Sequence, residues 1–93
     1  MKTLADFKRR IQIGTKLVAT YPSGLELPAR EVVIKQSNSF ALKTVKKTGE
    51  VIESWMEYPK ASMIEFPTAN QATTFWESRS FGRTECLTYT FVE

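Results

Sequence analysis

The chain has 93 residues, of which 42% are apolar and 25% are charged, and its formal net charge is +3. This composition predicts one folded domain over residues 1–93. No apolar run approaches the roughly 18 residues of a membrane span, and the opening MKTLADFKRRIQ lacks the apolar segment of a signal peptide. The single cysteine, Cys86, excludes an internal disulfide and fits a reducing, cytoplasmic location.

The chain contains no histidine, and this absence restricts its chemistry. Serine–histidine and cysteine–histidine nucleophile pairs cannot form, and the commonest metal ligand is missing. The four glycines stand far apart, so no phosphate-binding loop is present. We therefore expect no enzymatic activity, no cofactor and no metal site.

The first helix is predicted over residues 1–13. Thr3 can cap it, with Asp6 completing a capping box, and Gly14 suits the position just past its end. One apolar stripe is formed by Leu4, Phe7 and Ile11.

The rest of the chain reads as strands and turns. Strands are predicted at 15–21, 27–36, 40–45, 51–58, 63–66, 73–77 and 84–92. Lys46 to Gly49 forms a hairpin turn, and residues 68–74 form a loop. Pro59 ends its strand and begins a helical turn over 59–62. Trp55 and Tyr58 have opposite parity, so one of the two faces the core and the other does not.

Short strands at this spacing favour a small barrel or sandwich, because closure hides strand edges. A strand, one tight turn and a very short strand also close SH3-like small barrels. The predicted fold is therefore mainly β with a short N-terminal helix: an SH3-like barrel over 15–66 and an added hairpin over 73–92.

Two stretches, KQSNSFAL (35–42) and SWMEYPKAS (54–62), resemble small proteins carried by phages and mobile elements. Those proteins begin with a similar helix and an IQIGTKL-like entry into the first strand. The resemblance reaches to about Phe66. It implies a small inhibitor or adaptor that binds a host or phage protein.

The first candidate site is a hairpin around SRSFGR, where an aromatic residue stands between two arginines. Such residues are enriched at protein-binding hot spots, and they also suit base stacking with phosphate contacts. The alternative is that Phe81 folds back over the sheet edge as a lid. Phe75 and Trp76 must face opposite ways, so one of them is expected to be exposed. The predicted partner-binding residues here are Trp76, Arg79, Phe81 and Arg83.

The second candidate site combines Tyr58 and Lys60 with the polar residues Gln36, Ser37 and Asn38. Amide side chains can hydrogen-bond peptide groups or base edges. The structural alternative is that Asn38 makes the turn and Tyr58 packs against Pro59. Cys86 is expected to be a packed or half-exposed small apolar residue.

The charges are unevenly divided along the chain. Residues 1–47 carry ten basic and three acidic residues, and residues 48–93 carry three basic and seven acidic residues. The asymmetry either marks a nucleic-acid face or reflects charges that meet across strands. The nucleic-acid face would consist of Lys8, Arg9, Arg10, Arg30, Lys35, Asn38, Lys46 and Lys47. A structural alternative places the first three on a solvated helix end, near the negative end of the helix dipole.

Three functional hypotheses remain. The favoured one is a non-enzymatic protein-interaction module, because the net charge is small and no basic–aromatic motif of a known nucleic-acid fold is present. The alternative is a nucleic-acid-binding small β-barrel that uses the basic first half. Homodimerisation through a strand edge is the third.

Overall fold

A computed structural model describes residues 1–92 and contains one short helix and one seven-stranded antiparallel sheet. The helix, α1, spans Leu4–Arg10, and a single 3₁₀ turn spans Ala61–Met63. The strands are β1 (Lys16–Thr20), β2 (Arg30–Lys35), β3 (Ser39–Val45), β4 (Val51–Glu57), β5 (Ile64–Glu65), β6 (Gln71–Ser78) and β7 (Gly82–Val92). The prediction of a mainly β protein with a short N-terminal helix is confirmed.

The sheet is open, with the strand order β4-β3-β2-β1-β7-β6-β5. The closed barrel expected over 15–66 is not found, because β5 pairs with β6 at the edge opposite β4. Strand β7, expected in an added hairpin, pairs with β1 over five residues in the middle of the sheet. Strand β7 has eleven residues and buries Tyr89 and Phe91 on its inner face, whereas β5 has only two residues to pair with a neighbour.

The start of α1 follows the predicted capping box. The Thr3 hydroxyl accepts the N–H of Asp6, and the Asp6 carboxylate accepts the N–H groups of Thr3 and Lys2. The bond from the Lys2 N–H is the largest cause that lowers the pKa of Asp6 to about 2, and Thr3 and a paired Arg9 act in the same direction. The cap is therefore built around an ionised carboxylate.

The helix ends earlier than the sequence suggested. Ile11 is already extended and fully buried, and its N–H donates to the carbonyl of Phe7. Gly14, with φ of +94°, lies in the turn to β1, where its N–H donates to the Val32 carbonyl at 2.8 Å. Gly14 therefore lies in the turn to β1 and not at the helix end, because the backbone is already extended at Ile11.

One core lies between α1 and the inner face of the sheet. The Phe7 ring meets the rings of Phe40 on β3, Tyr58 after β4 and Phe91 on β7, with centroids 5.9 to 6.3 Å apart. The buried cluster extends from β3 to β5 and consists of Phe7, Ile11, Leu17, Ala19, Val32, Phe40, Leu42, Ile64, Ala72, Tyr89 and Phe91. The helix thus holds both halves of the sheet together.

Tyr89 is buried in this core, and its hydroxyl has no hydrogen-bond partner among the described residues. Burial raises the pKa of Tyr89 to about 12; Arg30 opposes the shift and Cys86 adds to it. Burial of this hydroxyl favours its neutral, protonated form over the phenolate. Because the hydroxyl has no hydrogen-bond partner in the described range, the loss of its contacts with water is not compensated.

The connections around β4 agree in part with the prediction. The turn from Lys46 to Gly49 forms as expected, and β4 ends before Pro59. The helical turn comes two residues late, because its first residue is Ala61 rather than Pro59. The loop predicted over 68–74 is wrong from residue 71 onward, because Ala72 and Thr73 are buried in β6.

Candidate functional site

The β6–β7 pair extends beyond the rest of the sheet. Strand β1 pairs with β7 only from Thr88 onward, and β5 pairs with β6 only at Thr73 and Thr74. Residues 75–87 therefore form a two-stranded ribbon with no further strand beside it. An isolated ribbon of this kind is only marginally stable, so its own side chains must brace it.

The tip of the ribbon is a turn that presents one aromatic side chain. Gly82 has φ of +67°, a backbone conformation that suits glycine, and the Phe81 N–H donates to the Ser78 hydroxyl at 2.9 Å. The Phe81 side chain is 82% exposed. The interpretation of Phe81 as a lid over the sheet edge is therefore wrong, because a lid would have most of its ring covered.

Arg83 braces the ribbon. Its guanidinium carbon lies 3.7 Å from the centre of the Phe75 ring, and its Nη2 lies 3.1 Å from a carboxylate oxygen of Glu65 on β5. A cation over an aromatic face and an ion pair both fix the base of the ribbon against the sheet. Arg83 thus makes contacts within the chain, and its role in binding a partner stays a prediction.

The remaining predicted residues of the ribbon are accessible. Phe75 is half-buried under Arg83, whereas Trp76 is 49% exposed, so the prediction that one of this pair is exposed is confirmed. Arg79 is also exposed, in the turn that carries Phe81. The structure thus brings Trp76, Arg79 and Phe81 together on one projecting ribbon.

The second predicted site does not form a comparable surface. The centre of the Tyr58 ring lies 6.2 Å from that of Phe7 and 5.1 Å from that of Phe40. The Lys8 amine lies 5.2 Å from the centre of the Tyr58 ring. Burial raises the pKa of Tyr58. It is therefore a rim residue of the core. Lys60 is exposed at the 3₁₀ turn.

The polar residues beside Tyr58 support the local backbone. The carbonyl of Asn38 accepts the N–H of Tyr58 at 3.1 Å, and the Gln36 side chain accepts the hydroxyl of Ser39 at 3.3 Å. The turn over Ser37 and Asn38 is closed by the Gln36 N–H, which donates to the Ser39 carbonyl at 2.8 Å, in agreement with the structural alternative in which Asn38 makes the turn.

Most of the predicted basic face is engaged within the chain. Arg9 pairs with Asp6, and Lys46 pairs with Glu50 at 3.4 Å. Lys35 donates to the carbonyl of Lys8 at 2.8 Å. Arg10 stacks on the Phe91 ring at 4.6 Å, and Arg30 is half-buried.

The basic residues are also divided between the two ends of β3. Lys35 is opposite Phe40 at one end, whereas Lys46 and Lys47 follow Val45 at the other. A seven-residue strand spans about 20 Å. The structure does not gather these residues into one continuous patch.

A row of alternating charge crosses four strands on the outer face, which is the face opposite α1. Lys16 pairs in register with Glu31, Glu31 with Lys43, and Lys43 with Glu53. Opposite charges at neighbouring positions stabilise a sheet. Of these pairs, only Lys43 with Glu53 joins the basic first half of the chain to the acidic second half.

Other routes to chemistry find little support in the described residues. Within residues 1–92, no three acidic or cysteine side chains are grouped as a metal site would require. No helix in that range is long and apolar enough to cross a membrane. Cys86 is exposed, so the expectation that it is packed or half-exposed is wrong.

Comparison of the chain with known protein families, curated proteins and solved structures finds no match.

Proposed function

We propose that this protein is a non-enzymatic protein-interaction module, and that the β6–β7 ribbon inserts Phe81 into a partner. The proposal rests on the 82% exposure of the Phe81 side chain at the tip of a ribbon whose base is held by the contacts of Arg83 with Phe75 and Glu65. An aromatic residue exposed to this extent contributes little to the stability of its own chain. Burial of such a residue in a partner contributes strongly to affinity.

The charges of the ribbon favour a protein partner over nucleic acid. Residues 75–87 carry Arg79 and Arg83 against Glu77 and Glu85, so the ribbon has no net charge. Nucleic-acid affinity depends on neutralising several phosphates. A neutral ribbon with an aromatic tip suits the apolar centre and polar rim of a protein interface.

Photo-crosslinking tests this proposal. We would place p-benzoylphenylalanine at position 81 and, as a matched control, at Ile13, which is 70% exposed in the turn before β1. In extracts of the organism that makes the protein, we expect a discrete adduct from position 81. Excess wild-type chain should suppress it, and the Phe81→Ala chain should not. Identical adducts from both positions would contradict the proposal.

Nucleic-acid binding is tested separately by fluorescence anisotropy with single- and double-stranded DNA and RNA. We expect no tight binding at about 50 mM salt. Tight binding that falls by up to about a thousandfold near 200 mM would indicate roughly six phosphate contacts. Loss of that binding in a Lys46→Glu, Lys47→Glu variant would establish the basic face as functional. Glutamates in this exposed turn should leave the fold intact.

We further propose that the protein acts as a phage-type inhibitor or adaptor in the cytoplasm, on a host or phage protein machine. The resemblance of residues 35–42 and 54–62 to phage-borne proteins supports this proposal. The chain order of β4, a 3₁₀ turn and a very short β5 is the order expected for an SH3-like protein, although β5 pairs with β6 here and closes no barrel. Membership of the cross-linked partner in such a machine is the result we expect.

A further inference from the structure

Strand β4 is a long, regular and open sheet edge. Its seven residues pair with β3 without a shift in register, and no strand of residues 1–92 lies on its other side. The other edge, β5, has only two residues. Proteins usually blunt an edge with proline, charged side chains, a bulge or a short strand. Strand β4 has no proline, lysine or bulge, and its charged residues are Glu53 and Glu57.

The hydrogen-bond register shows which backbone groups of β4 face outward. The N–H of Lys46 donates to the carbonyl of Glu50, and the N–H of Tyr58 donates to the carbonyl of Asn38. Hydrogen-bonded pairs alternate along an antiparallel ladder. The even-numbered residues between these two pairs therefore bond to β3. The odd-numbered residues direct their N–H and carbonyl groups to the open side, and they are Val51, Glu53, Trp55 and Glu57.

The same four residues carry the exposed side chains of β4 on the outer face. The exposed and half-buried residues alternate along the whole strand, and Trp55 is 52% exposed. A chain added at this edge would thus meet the free backbone groups and an acid–aromatic–acid row together: Glu53, Trp55, Glu57.

The charge row across the sheet specifies what such a chain should carry. The row alternates Lys16, Glu31, Lys43 and Glu53 and stops at the edge with an acid. Glu57 stands opposite Ser39, and neither Glu53 nor Glu57 forms an ion pair with a residue of the described range 1–92. A fifth strand in this row would continue the alternation with a cation.

We propose that β4 accepts an extended basic segment of a partner protein as an added strand. The segment carries lysine or arginine opposite Glu53 and Glu57 and an apolar residue opposite Trp55, which places these side chains at positions i, i+2 and i+4. Main-chain hydrogen bonds supply affinity, and the alternate side chains supply specificity. This surface is separate from the ribbon, and the proposal does not depend on the role of Phe81.

A second copy of the chain fits this edge less well. An antiparallel pairing centred on Trp55 would place Glu53 opposite Glu57 of the copy. A pairing centred on Ser54 would bring four glutamates together, and β4 of the copy supplies no cation to offset them. Like charges at neighbouring positions destabilise a sheet. A segment with the opposite charge avoids this cost.

The test uses blocked nine-residue peptides and the full chain. The probe has lysine at positions 3 and 7, isoleucine at position 5 and threonine elsewhere. One control replaces both lysines with glutamate, and a second moves them to positions 4 and 6 at constant composition. Amide NMR spectra, hydrogen exchange and fluorescence report binding to wild-type protein and to a Glu53→Gln, Glu57→Gln variant.

We expect saturable binding of the probe only, with new exchange protection at the amides of Val51, Glu53, Trp55 and Glu57. The double glutamine variant should bind at least tenfold more weakly while its free spectrum stays folded. Equal binding of the shifted-lysine peptide, protection elsewhere in the sheet, or no binding at millimolar peptide would overturn the proposal. Self-association through β4 in the absence of peptide would overturn it as well.

Discussion

Replacement of Tyr89 by phenylalanine should make the protein more resistant to alkali. The ring is buried in the core, its hydroxyl has no partner among residues 1–92, and its pKa is raised to about 12 from the ordinary 10.0. A group whose pKa is raised on folding stabilises the native state below its unfolded pKa. That contribution is lost as the pH rises from about 10 to about 12.

The magnitude follows from the shift. Two pKa units correspond to about 2.7 kcal/mol, of which about 1.4 kcal/mol is lost by pH 11. Wild-type protein should lose this amount between pH 8 and pH 11 in excess of the Tyr89→Phe variant. At pH 8 the variant should be equally stable or up to about 1 kcal/mol more stable, because it no longer buries an unpaired hydroxyl.

Urea unfolding at the two pH values, followed by tryptophan fluorescence, measures both differences. Other titrating groups, including Tyr58, cancel in the comparison. Tyr21→Phe is the matched control, since Tyr21 is exposed, and it should behave as wild type. If wild type and Tyr89→Phe lose the same free energy at pH 11, Tyr89 does not titrate as argued.

Three further predictions concern the fold. Phe7→Ala should cost about 3 to 5 kcal/mol of unfolding free energy, whereas Trp55→Ala should cost less than about 1 kcal/mol, because Trp55 lies on the outer face. Urea unfolding measures both costs. A larger cost at Trp55 than at Phe7 would reverse the assignment of the two faces. Thr3→Ala should cost about 1 kcal/mol through loss of the helix cap, measured in the same way, with Thr48→Ala as an exposed control. Asp6 stabilises α1 above about pH 4, and this contribution should fade as the pH falls to about 2. The melting temperatures of wild-type and Asp6→Asn proteins, followed by circular dichroism, should therefore differ at pH 5 and converge at pH 2. A difference that stays constant would contradict the lowered pKa of Asp6.

Local features could be predicted from the sequence, because they depend on neighbouring residues. The capping box of Thr3 and Asp6, the turn ending at Gly49 and the termination of β4 before Pro59 all follow from short-range chemistry. The alternation of Leu87, Tyr89 and Phe91 also indicated the inner face of β7.

Strand order could not be predicted in this way, because it depends on competition between distant segments. The very short β5 suggested a closing strand, yet the longer apolar face of β7 takes the place beside β1. Polar residues such as Thr73 suggested a loop, although pairing to β7 and β5 buries it in β6. β-Structure depends strongly on such tertiary context.

The sequence could identify the candidate residues of the β6–β7 ribbon, but it could not show whether the Phe81 side chain is exposed. The sequence pointed to Trp76, Arg79, Phe81 and Arg83, but it could not distinguish a lid from a projecting tip. That distinction depends on where β1 and β5 stop pairing. The edge residues Glu53 and Glu57 were missed as a site, although the alternation of acids around Trp55 was visible in the sequence.

The most direct measurement is the affinity of the cross-linked partner, by isothermal titration calorimetry, for wild-type protein and for the Phe81→Ala, Ile13→Ala and Lys46→Glu, Lys47→Glu variants. The account predicts a loss of about 2 kcal/mol or more, roughly thirtyfold, for Phe81→Ala alone. The other two variants should bind as wild type. Wild-type affinity in Phe81→Ala, with a loss in the double lysine variant, would contradict the account and move the functional surface to the basic turn.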